Sequence, residues 1–164
     1  MLKSEIVFEE RQCFAQRSVR NFFWVLACFF IISIFIRLLL RKTDDGVIGV
    51  FITGFIISII LSIFLSNCLI TQITVDGIYV RFPPFMPSEQ KYLWKDIREV
   101  YVIKYKPITQ YGGWGMRIGP YGKAFNISGT TGLQVIFHDN SRLLIGTNQP
   151  QKLIAVLRRL GKMS

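Results

Sequence analysis

Two apolar runs near the start of this chain constrain its fold more than any other feature. Residues 21–40 read NFFWVLACFFIISIFIRLLL, with Arg37 as the one charge. A helix over them would be about 30 Å long, the thickness of a bilayer's hydrocarbon core. A polar link, RKTDDG at 41–46, leads to a second run at 47–70 that carries no charge. That run would extend about 36 Å, enough to cross with some tilt. A cleavable signal peptide fits neither run, because the first begins late, is too long and has no small-residue cleavage motif behind it. The sequence therefore predicts a transmembrane hairpin, with helices at 21–40 and 47–70. The lead-in at 1–20 has charges of alternating sign and reads as a solvated helical approach.

Arg37 lies three residues from the end of its helix, so its stem can carry the guanidinium to the headgroups. Neither run contains an acidic residue or a histidine, which leaves an ion or proton pathway without working groups. In the second run Gly54, Ser58, Ser62 and Ser66 recur every fourth position, a stripe along which another helix can approach closely. Its expected use is packing against the first helix, with self-association or docking on a partner membrane protein as the alternative. Lys3, Arg11, Arg17 and Arg20 precede the hairpin, while Arg37, Arg41 and Lys42 approach or occupy the link. Four against three predicts cytoplasmic termini under the positive-inside rule.

From Thr71 the pattern changes to short β-like runs between turn signals, as in a sandwich or barrel. LITQITV and IYVRF flank Asp76-Gly77 as a hairpin. The prolines of FPPFMPSEQ are expected to stop any strand there. KYLW, IREVYVIKYK, WGMRI, KAFNI, GLQVIF and RLLIGT continue the series, and Leu133, Val135 and Phe137 should face the core. In YGGWGMRIGPYGK, Gly112 and Gly113 are expected to bend the chain between strands, and Trp114 to turn its ring inward. Pro150 then opens QKLIAVLRRL, where Leu153, Ile154, Leu157 and Leu160 recur at helical spacing. Cys13, Cys28 and Cys68 are the three cysteines, and none lies beyond Thr71, so no disulfide framework is expected there.

VFEERQCF, WKDI, YGGWGMR, NISGTTGLQ and LLIGTNQPQKLIAVL together resemble bacterial membrane proteins that carry a pleckstrin-homology-like domain after two N-terminal transmembrane helices. The resemblance covers nearly the whole chain. It implies an α+β membrane protein in which 71–164 form a seven-stranded, strongly bent β-barrel or sandwich capped by a C-terminal α-helix. It also implies a place in the bacterial cytoplasmic membrane, with the domain in the cytoplasm. Thr130-Thr131 departs from the family, which favours a more polar or basic pair at that turn.

Catalysis lacks parts. Gly113-Trp114-Gly115 misses the third glycine of a dinucleotide fingerprint, and Gly122-Lys123 has Arg117 where a P-loop needs glycine. His138 is the only histidine, which leaves a zinc site to rely on carboxylates. No G-x-S-x-G elbow is present. Neither a catalytic residue, a metal nor a cofactor is expected. Charge says more, because residues 71–164 carry thirteen basic and five acidic side chains. A tethered basic domain gains roughly 1 kcal/mol for each Lys or Arg held near an anionic leaflet. Lys104 and Lys106, read as sharing a strand face, form a candidate patch with Tyr111, Arg117 and Lys123. The FPPFMP segment adds Phe82, Phe85 and Met86, apolar side chains near the membrane exit. The expected function is a non-enzymatic, membrane-anchored scaffold presenting a basic surface to a protein partner or anionic lipid headgroups. The alternative is a structural subunit, homo-oligomeric or in a larger complex, assembled through the helices. Nucleic acid is not an expected partner, since no recognised nucleic-acid motif is present.

Overall fold

The computed structural model describes residues 5–14, 17–40 and 45–163. They fall into two compact units, Phe14–Ser66 and a second made of Met1–Cys13 together with Asn67–Ser164. The polar link at 41–44, with Arg41 and Lys42, and the lead-in charge Lys3 lie outside the described residues.

The first unit is a pair of helices, α1 (Arg17–Leu39) and α2 (Asp45–Leu65). Both are long and apolar enough to cross a membrane by length and composition. They run antiparallel, since Phe14 stacks near Phe64 while Phe30 meets Phe51. Gly54 faces α1 closely: a Cβ there would sit 2.6 Å from Cζ of Phe30. Ser58 and Ser62 are buried, and the Ser66 hydroxyl donates to the Ser62 carbonyl. The Arg37 guanidinium sits 4.9 Å above the Phe51 ring, an apolar resting place for its charge.

The second unit holds two sheets. Strands β1 (Ile6–Cys13), β2 (Cys68–Thr74), β3 (Gly77–Phe82) and β4 (Met86–Leu93) form an antiparallel meander in chain order. After one 3₁₀ turn at Trp94–Asp96 come β5 (Ile97–Lys104), helix α3 (Pro107–Tyr111), β6 (Gly115–Gly119) and β7 (Gly122–Asn126). Strands β8 (Thr131–Phe137) and β9 (Arg142–Gly146) follow, then helix α4 (Pro150–Arg159). The second sheet has the order β5-β8-β9-β7-β6, with β7 parallel to β9 and its other pairs antiparallel. The fold is thus α+β with two sheets of four and five strands among the described residues, not closed into a barrel, where a barrel or sandwich of seven strands was expected. Leu133 and Val135 are fully buried as expected, Phe137 is half-buried, and α4 buries Leu153 and Leu157.

The lead-in departs from its expected form, because residues 6–13 are a strand paired along β2. Their alternation was hidden by Glu10 and Gln12, which occupy inward positions beside Phe8 and are buried. Both are satisfied far along the chain. The Glu10 carboxylate accepts hydrogen bonds from the Thr147 hydroxyl (2.6 Å), the Asn148 backbone N–H (2.7 Å) and the Gln12 side chain (3.1 Å). Gln12 also donates to the Gly146 carbonyl at 2.9 Å. A buried polar side chain with such partners is stable, but its partners are invisible to local sequence pattern.

The second apolar run is split as well. Its helix stops at Leu65, and Cys68 to Ile70 already belong to β2. Only the polar pair Ser66-Asn67 marks that boundary, within a run that carries no charge. The pairing sets Cys13 opposite Cys68, joined by a disulfide with Cα atoms 4.1 Å apart. The absence of a disulfide framework expected for the β domain is corrected accordingly, because its first strand lies before the helices. The prolines did not stop β4, which starts at Met86 and contains Pro87. At a sheet edge a residue without an N–H is tolerated.

Candidate binding surface

One face of the second sheet meets the first sheet, with the Phe125 and Phe82 rings 6.2 Å apart. Residues directly opposite in neighbouring strands share a face. The register therefore draws two inward rows across the sheet. One runs Val102, Leu133, Ile145, Phe125, Met116, and the next runs Val100, Val135, Leu143, Lys123, Ile118. Each passes through the core, at Leu133 and Ile145 or at Val135 and Leu143, and ends in the open. Phe125 is fully buried, whereas Met116 is 41% and Ile118 83% exposed. The core-facing side thus continues onto β6, an edge strand, beyond what the first sheet covers.

A cleft of about 600 Å³ opens beside this overhang, lined by Gln90 and Tyr92 of β4 and by Ile118, Tyr121, Lys123 and Leu143. A neighbouring lobe of about 450 Å³ shares Tyr92, Phe137 and Ser141 with it, and adds Lys95, Asp96, His138 and Asp139. The Tyr92 and Phe137 rings lie 5.6 Å apart, and burial raises the Tyr92 phenol above its ordinary pKa. Asp139 is held by its turn: the Ser141 hydroxyl (2.6 Å) and backbone N–H (2.9 Å) donate to it and lower its pKa. His138 donates its backbone N–H to the Asp96 carbonyl. Among the described residues, no group of three or more His, Cys, Asp or Glu is arranged to hold a metal.

The five candidate contact residues do not form one patch. Lys123 lies on the inward face, its ammonium 4.8 Å from the Phe125 ring centroid. Arg117 is opposite Ala124 and therefore on the other face, alongside the backbone of Gly113 and Gly115. Lys104 ends β5 opposite Thr131. Lys106 is not on that strand but is the N-cap of α3, its N–H donating to the Gln110 side chain at 2.8 Å. Tyr111 is buried on the outward face with Tyr105, Ala124 and Leu144, its ring 5.9 Å from that of Tyr105. Burial raises both phenols above their ordinary pKa. Tyr111 is a packing residue in this arrangement.

The glycine run is a helix end rather than a bend between strands. Gly112 takes φ +71° as the C-cap of α3, with its N–H on the Ile108 and Pro107 carbonyls. Trp114 follows with its ring exposed, not inward, and its indole N–H donating to the Gly129 carbonyl. The overhang escaped sequence reading because Met116 and Ile118 alternate as core residues do. What marks them is the length of the first sheet, which no local signal on β6 contains. Chemically, the cleft offers apolar side chains, the cations Lys123 and Arg142 and two open strand edges, a setting for an extended peptide segment. Comparison with family models, with curated proteins and with solved structures gives no match to this chain.

Proposed function

We propose that this chain is a non-enzymatic, membrane-anchored binding module of pleckstrin-homology-like architecture that presents its cleft to a protein partner. The observation that carries the binding half is the core-facing row ending in the open at Met116 and Ile118, beside Lys123. The architectural half is supported by the strand order. Without the β6–β7 hairpin, seven strands remain as meanders of four and three, followed by a helix. The apolar helices then stand as an insertion between β1 and β2. Because those strands pair, the chain must return to the side it left, which suits two crossings.

The four-against-three charge count, with the family resemblance, supports a cytoplasmic position for the β unit on a bacterial cytoplasmic membrane. Assembly through the small-residue stripe finds less support, since Gly54 is already occupied by Phe30 of the same helix pair.

Affinity purification of the full chain in mild detergent tests the reading. A partner should co-purify with the parent and be lost with Ile118→Asp, whose exposed position leaves the fold intact. Equal recovery from parent and variant, or recovery of the chain alone, would sink the proposal.

A further inference from the structure

The β3–β4 turn is tied to the root of the apolar helices. The Cys68 backbone N–H donates to the Pro83 carbonyl at 3.0 Å, which holds Pro83 to Phe85 beside the first residue of β2. Cys68 comes three residues after the last residue of α2, and Cys13 four before the first of α1. Links of that length reach at most about 14 Å when fully extended. The turn contrasts two phenylalanines: Phe82 is 1% exposed and Phe85 61%. Core packing accounts for the first and leaves the second unexplained.

The same end of the first sheet carries cations. Arg11, Ile70 and Arg81 stand opposite one another across β1, β2 and β3. They share the face of Cys13 and Cys68, one repeat further along the strands, about 7 Å away. Two strand spacings put the arginine Cα atoms about 10 Å apart. Arg11 is exposed, and the Arg81 side chain is 38% exposed with a long 3.9 Å approach to Glu89.

We infer that this end of the four-stranded sheet lies on an anionic lipid surface, with Phe85 inserted at the interface and Arg11 and Arg81 at the headgroup phosphates. The inference rests on the membrane reading above. An aromatic side chain with flanking cations, held within a few residues of a membrane-crossing helix, matches the chemistry of that interface.

The test uses the full chain in vesicles of phosphatidylcholine, with or without phosphatidylglycerol. In a Cys28→Ser background with Cys13 and Cys68 oxidised, Phe85→Cys supplies one free thiol for an environment-sensitive fluorophore. Val75→Cys, at the exposed β2–β3 turn, is the control. The label at 85 should be quenched by lipids spin-labelled near the headgroup and shielded from aqueous iodide, and the label at 75 should show the reverse. Each arginine favours the docked state about fivefold in anionic vesicles. Arg11→Gln with Arg81→Gln should therefore lower the docked-to-undocked ratio about 25-fold. Equal iodide access at 85 and 75 overturns the inference, and an unchanged dependence on anionic lipid in the double variant overturns the arginine assignment. Labelling the native Cys28, exposed in α1, separates the two levels of the argument. No quenching of that label by acyl-chain spin labels defeats the membrane reading itself. Quenching there without quenching at 85 defeats only the docking.

Discussion

Replacing Glu10 should destabilise the β unit more than any surface change on β1, although the residue sits in what reads as a polar leader. Its carboxylate takes the Thr147 hydroxyl, the Asn148 N–H and the Gln12 amide at 2.6, 2.7 and 3.1 Å. Thr147 in turn accepts the Gln149 N–H at 3.0 Å, at the N-cap of α4. Glu10 therefore joins the first strand to the start of the last helix. In Glu10→Met the Gln12 amide keeps the Gly146 carbonyl, so the loss falls on the Thr147 and Asn148 donors. Hydrogen bonds to a charged acceptor contribute about 1.5–3 kcal/mol each, and two of them give a loss of about 3–5 kcal/mol. At about 4–8 °C per kcal/mol for a domain near this size, the unfolding midpoint should fall by about 12–40 °C. Glu10→Gln keeps one acceptor and should cost about half as much.

The assay is thermal unfolding of the full chain in detergent, followed by near-ultraviolet circular dichroism. Thr147→Val alone and with Glu10→Gln completes a double-mutant cycle, in which the pair should couple by about 1–2 kcal/mol. An unchanged midpoint in Glu10→Met, or additive losses in the cycle, would show that the N-terminal strand is not clasped in this way.

Two further outcomes follow from the β unit. Gly122 holds φ +102°, and a Cβ there would lie 2.3 Å from the Arg142 carbonyl oxygen. Gly122→Ala should thus cost at least about 1–3 kcal/mol in denaturant midpoint, whereas a neutral result would contradict the close β7–β9 approach. Burial raises the phenol pKa values of Tyr92, Tyr105 and Tyr111, so the folded state holds their protons longer than the unfolded chain. Their contribution is complete below the unfolded value near 10 and is lost as pH rises through the folded values. Denaturant midpoints measured from about pH 9 to pH 11 should fall, and a flat profile would argue against buried phenols.

What the sequence revealed divides along physical lines. The two apolar helices, the hairpin at Asp76-Gly77 and the face of Leu133 and Val135 follow from runs and periods contained within each segment. The role of residues 6–13 does not, because its decisive partners, Thr71 on β2 and Thr147 beyond β9, lie far away in the chain. The strand at 68–70 was absorbed into a hydrophobic run, since the two polar residues Ser66-Asn67 are a short interruption in an uncharged stretch. Lys123 was read as part of a basic patch, and it lies on the inward face beside Phe125. Arg117, one step away in period, falls on the opposite face because its partner Ala124 is even in register where Lys123 is odd. Tyr111 looked like a ligand contact because aromatic residues near glycines often are, yet the five-residue α3 turns it onto Ala124 and Leu144.

The pairing of β1 with β2 underlies the domain boundary and the four-stranded sheet, and Cys13 and Cys68 report it directly. In a Cys28→Ser chain with a protease site placed in the 41–46 link, permeabilised membranes would be oxidised mildly and then cleaved. The fragments should stay together at full-length mass without reductant and separate when it is added. Two separate fragments under both conditions would contradict the account, because they would show that the first strand does not lie beside the second.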